Sequence, residues 1–94
     1  MKLYCISDSE SSLVFRLANI QTFEVSEREK AVNIFNQITG FPDAGIILIT
    51  DTVASLINNE IVAFVKKNTK PLILEIPSYT SLLKSKRREN VTGK

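Results

Sequence analysis

Histidine is absent from this 94-residue chain, and cysteine occurs once, as Cys5. Without histidine there is no imidazole general base and no zinc site of the usual Cys/His kind. A single thiol closes no intrachain disulfide, and its place in an apolar strand pattern reads as a small buried hydrophobe. Glycine is scarce too, with three in the chain, none of them in the loop Ser7-Asp8-Ser9-Glu10-Ser11-Ser12. Rossmann and P-loop phosphate sites need glycine backbone at that point, and Asp8 and Glu10 would repel an anion, so nucleotide binding is disfavoured. No apolar run approaches the ~18 residues of a membrane span. Met1-Lys2 leads straight into a strand pattern, without the apolar core of a signal peptide. The expectation is a cytoplasmic protein attached to something larger.

The composition, 44% apolar and 23% charged, is that of an ordinary globular domain. The net charge of +2 is unevenly spread: residues 84–94 hold five basic side chains and one acidic, the rest seven basic and nine acidic. A mildly acidic body with a basic tail does not read as a nucleic-acid-binding face.

The stretch Gly45-Ile46-Ile47-Leu48-Ile49-Thr50-Asp51 organises the chain. Its four consecutive apolar residues read as a parallel strand whose two sides are both covered by helices. Thr50-Asp51 suits a helix start. A first strand is expected over residues 2–7. Ser7 to Glu10 fits a capping box, opening a helix to about Ala18 with Leu13, Val14, Leu17 and Ala18 on its apolar side. Asn19 takes a left-handed C-terminal position. A weak, partly polar edge strand follows over 20–25. Ser26 to Glu29 reads as a second capping box, opening a helix with Ala31, Ile34, Phe35 and Ile38 inward and ending at Thr39-Gly40. A third helix is expected to run unbroken from Thr52 to Lys67, followed by a strand from Pro71 to Ile76. The β-α-β-α-β-α-β order defines an α/β fold. Residues 1–78 form its globular domain and 79–94 a basic C-terminal segment, expected to be mobile.

In such folds ligands sit at the strand C-termini, here Ser7, Asp8, Glu10, Glu24, Ser26, Thr50, Asp51 and Ser78. A receiver-like phospho-acceptor would need carboxylates clustered around Mg²⁺. Asp8, Glu10 and Asp51 match that loosely, and helix capping is the simpler role for Asp8 and Asp51. Ser7, Ser26, Thr50 and Ser78 have no base to activate them, so no catalytic, metal or cofactor-binding residues are assigned.

Three segments carry a resemblance. Asp8 through Ile20, ending Phe15-Arg16-Leu17-Ala18-Asn19-Ile20, resembles the first helix of the F subunit of the V-type/A-type rotary ATPases (ATP synthases). Ile49-Thr50-Asp51 with Ala54, Ile57 and Ile61 is similar to its strand-to-helix step, and Pro71 through Glu75-Ile76-Pro77-Ser78 to its last strand. Ser7, Val14 and Asn19 stand where the family usually has glycine. The resemblance implies a doubly wound four-stranded parallel sheet, order 2-1-3-4, receiver- or Rossmann-like with helices on both faces. It also implies a non-catalytic central-stalk subunit, without cofactors, that binds the coiled-coil D subunit of the rotor, reaches toward the A3B3 catalytic head, and modulates coupling between ATP turnover and ion transport. Such a subunit is cytoplasmic, peripheral to the membrane, and neither inserts into it nor binds nucleic acid. The residues after Leu83 fall short of the family's full C-terminal helix, so that extension is expected to be shortened or truncated.

The partner contacts implied by the resemblance are Arg16, Ser78, Tyr79, Lys84, Lys86, Arg87 and Arg88. The alternatives are a receiver-like signalling domain, which would respond to Mg²⁺ and a phosphodonor through Asp51, and a stand-alone adaptor that binds another helical protein.

Overall fold

A computed structural model describes residues 1–78. The elements are β1 (Lys2–Ser7), α1 (Ser9–Leu17), β2 (Gln21–Glu24), α2 (Arg28–Thr39), β3 (Ala44–Thr50), α3 (Asp51–Leu56), α4 (Asn58–Lys67) and β4 (Leu72–Ile76). The four strands are all parallel, in the order β2-β1-β3-β4. The expected architecture is therefore present, with β2 and β4 as the edges.

The order fixes where the helices go. The crossover from β1 to β2 runs one way across the sheet, and those from β2 to β3 and β3 to β4 run the other way. Right-handed crossovers then put α1 on one face and α2, α3 and α4 on the opposite face. On the α2–α4 face lies the buried core. Tyr4, Ile6, Ile47 and Ile49 of the sheet meet Ala31, Phe35 and Ile38 of α2 and Val53, Ala54 and Ile57 from the α3 region, all at most 3% exposed. Phe35 meets Phe64 of α4 edge-on at 5.7 Å, and Tyr4 meets Phe41 likewise at 5.3 Å. Each such side chain, removed from water, contributes roughly 1.5–3 kcal/mol.

Several local expectations are corrected. Ser7 does not cap α1, because it lies buried at the end of β1 with its hydroxyl donated to the Asp8 carbonyl at 2.7 Å. Asp8 is the cap, and its carboxylate accepts from the Ser11 N–H. Ser26 lies one residue too early for the second capping box: α2 starts at Arg28 behind Glu27, with no side-chain cap. Asp51 is the first residue of α3 and Thr50 precedes it, again without a side-chain cap.

The long third helix is broken at Ile57 (φ −126°, ψ 29°). Ile57 is fully buried in the core, and the chain becomes helical again at Asn58. The carbonyl left open by the break, that of Leu56, accepts from Arg28 Nη1 at 2.7 Å, and the same guanidinium grips Glu60 through both carboxylate oxygens at 2.6 and 3.1 Å.

The largest correction concerns α1. Leu13, Val14 and Leu17 are 63%, 49% and 78% exposed, and the buried residues of this helix are Ser11 and Ser12. The anchoring bonds set its rotation: Ser11 Oγ donates to Asp8, and the one hydroxyl proton of Ser12 is shared between the Ser9 carbonyl and Glu24 of β2. Small, satisfied hydroxyls let the helix approach the sheet closely and turn its larger apolar residues outward. Asn19 holds the expected left-handed conformation, with φ 64°.

Candidate binding surface

The C-terminal edge of the sheet, the usual ligand site of this architecture, is filled by its own side chains. Asp8 Oδ2 accepts from the Ser11 N–H at 3.0 Å and from its hydroxyl at 3.1 Å, and Asp8 Oδ1 accepts from Thr52 Oγ1 at 2.8 Å. The Thr52 hydroxyl pairs with that of Thr50 at 3.2 Å, and Asp51 Oδ1 accepts the Ser78 N–H at 3.2 Å. The ends of β1, β3 and β4 and the starts of α1 and α3 are thus bonded to one another. Burial raises the pKa of Asp8, but the bonds from Thr52 and Ser11 outweigh it and hold this carboxyl below its ordinary range.

The polar groups of this edge are engaged with one another. Among the described residues no buried side-chain polar atom lacks a hydrogen-bond partner, and no group of three or more His, Cys, Asp or Glu side chains is placed to hold a metal. Asp8 and Asp51, the carboxylates a receiver-like site would use, tie down backbone and hydroxyl groups. Cys5 is fully buried in β1. Burial, and secondarily the charge of Asp8, pushes its thiol up to about 12, far from a reactive thiolate. Among the described residues no helix is long and apolar enough to cross a membrane.

Of the residues assigned to partner contacts, the two that are described, Arg16 and Ser78, lie at opposite ends of the sheet. Arg16 is exposed in the last turn of α1. It lines an open cavity of about 680 Å³ at the N-terminal end of the sheet, shared with Leu3 and with Gln21 and Thr22 of β2. Ser78 lies at the opposite end, fully buried and bonded to Asp51. It directs the chain leaving β4 and offers no surface of its own. Tyr79, Lys84, Lys86, Arg87 and Arg88 lie outside the described residues.

One feature was missed in the sequence. On the face that carries α1, that helix packs on β2 and β1, and no other element among the described residues covers the rest of the sheet. The pairs Leu3–Ile46, Ile46–Leu72 and Leu48–Leu74 place these side chains in one apolar strip. Leu3, Leu72 and Leu74 are 37%, 50% and 41% exposed, and Ile46, Leu48 and Ile76 are partly exposed. The signal was available: β4 sets Leu72, Leu74 and Ile76 on one side, against Ile73 and Glu75 on the other, and only one helix precedes the reversal of strand order.

Known proteins are similar to this chain along most of its length. The family described as ATP synthase (F/14-kDa) subunit matches residues 3–93. The F subunit of the A-type ATP synthase of Methanocaldococcus jannaschii is 32% identical over 78 residues, which cover 82% of this chain and 74% of that protein. The corresponding F subunit of Methanococcus aeolicus is 31% identical over 78 residues, with the same coverage.

Proposed function

This chain belongs to the ATP synthase (F/14-kDa) subunit family, and on that premise we propose that it binds the coiled-coil D subunit of the rotor in the central stalk of an A-type complex and modulates its coupling. As a member of that family it is a non-catalytic subunit of the synthase. The observation that carries the reading is the family match over residues 3–93, joined to a strand C-terminal edge whose polar groups bond to one another. A protein acting by contact needs a rigid body and a surface, and both are present: the packed α2–α4 face supplies the rigidity.

Within this reading, Arg16 and the cations Lys84, Lys86, Arg87 and Arg88 act at the rim of the contact, favouring orientation and association rate over affinity. Tyr79 would contribute the aromatic anchor of the segment that follows Ser78, with residues 1–78 as the body and 79–94 as an arm. Contact with the A3B3 head belongs to the same proposal.

The test is co-elution with the D subunit of the same complex, followed by light scattering. A stable one-to-one complex is expected. Absence of a complex at tens of micromolar would remove the stalk reading and favour an adaptor for another helical partner.

A further inference from the structure

From the open half of the sheet we infer that the strip formed by Ile46, Leu48, Leu72 and Leu74, running down to Leu3, is the seat of one amphipathic helix of the rotor coiled coil, lying antiparallel to the strands. This rests on the stalk reading and adds to it the surface used and the direction of the helix.

The strip is contiguous because its members are register partners on three adjacent parallel strands, and Leu3, Leu72 and Leu74 stand 37–50% exposed along it. Its long axis follows the strands, and α1 walls one side. Leu3 belongs both to the strip and to the cavity lined by Arg16, so the groove ends on a guanidinium that makes no ion pair among the described residues.

Charge selects the occupant and its direction. The N-terminal end of the sheet carries Arg16 beside the groove and Lys70 just before β4, with Lys66 and Lys67 in the last turn of α4 on the opposite face, while Asp43 at this end accepts from the Tyr4 hydroxyl. The C-terminal end carries Asp8, Glu10, Glu24 and Asp51. A helix whose N-terminus lies at the acidic end and whose C-terminus, with an acidic side chain, lies at Arg16 matches this polarity through its macrodipole. The basic residues 84–94 of this chain would meet the wrong sign of charge if they ran down the same groove.

The test uses the full chain and the rotor coiled-coil protein, with calorimetric titration. Leu72→Asp and Leu74→Asp should weaken binding at least tenfold, and Arg16→Glu should weaken it severalfold and reduce its salt dependence. Val62→Asp and Val65→Asp, at exposed apolar positions of α4 on the other face, should leave it unchanged. Backbone NMR spectra verify folding, and Arg16→Glu, on an exposed helix surface, carries the test if the edge-strand variants unfold. Wild-type binding that survives all three strip and Arg16 variants overturns the inference and leaves the stalk reading intact, whereas no wild-type binding removes both. A spin label at Leu83→Cys that broadens Leu72 and Leu74 in the free chain, or concentration-dependent self-association through them, would also overturn it, by assigning the groove to the chain's own end or to a second copy.

Discussion

Asp51 Oδ1 accepts the Ser78 N–H at 3.2 Å, so the first turn of α3 holds the end of β4 across 27 positions of sequence. Ser78 is fully buried, where a lost acceptor is costly. Asp51→Ala should therefore lower stability by roughly 1–3 kcal/mol, the penalty of an unsatisfied buried donor. Amide exchange at Ile76 and Ser78 should accelerate more than at Ile47 or Ile49. Uniform acceleration over all strands would refute a local tether.

Asp8 fastens α1 to the sheet edge and to Thr52 of α3. Replacing this cap with alanine should cost about 0.5–2 kcal/mol. Its folded-state pKa is lowered, so its contribution is fully present above the unfolded value of about 3.9 and is lost as pH falls through the lower folded value. Asp8→Asn, which keeps an acceptor but does not titrate, should flatten that part of the acid-unfolding profile. Identical profiles for Asp8→Asn and wild type below pH 4 would contradict this assignment.

Cys5 is fully buried in β1, with its thiol pushed up to about 12. Thiol reagents at pH 8 should label the native chain only as fast as it opens, and should label the denatured chain at once. A second-order native reaction comparable to that of a free thiol would mean that β1 is exposed.

Phe35 joins α2 to the sheet and, through its edge contact with Phe64, to α4. Phe35→Ala should lower stability by roughly 3–5 kcal/mol in urea unfolding. Arg28→Ala removes the clamp at the α3–α4 junction. It should raise amide exchange around Ile57 and Ile61 while changing global stability far less, because the pair is largely exposed.

The four strands of the sheet were legible because β3 is apolar on both sides and each strand is followed by a clear turn signal, whereas their order, 2-1-3-4, was an implication of the family resemblance. The inward face of α2 was legible as well, since Ala31, Phe35 and Ile38 repeat at helical spacing and are all buried. The rotation of α1 was not. Spacing ranks Leu13, Val14 and Leu17 above serines for burial, but it carries no account of Asp8 and Glu24, whose bonds to Ser11 and Ser12 outweigh it. The break at Ile57 was hidden for a similar reason, because the periodicity of Val53, Leu56, Ile57 and Ile61 suits one straight helix. The groove was missed because coverage of a sheet face depends on crossover handedness, a property of the whole topology.

All eleven members of the buried core cluster lie between Tyr4 and Ile57. During synthesis, a chain that has emerged as far as Ile57 already carries this complete nucleus, with β1, β2 and β3 able to pair. Helix α4 and strand β4 then join a nearly finished body. The late-emerging strand is also the one that forms the outer wall of the groove, so the nucleus can be secured before the docking surface exists. Substitutions that retune Leu72 or Leu74 for a different partner should thus leave folding speed largely untouched, separating the evolution of assembly from that of foldability.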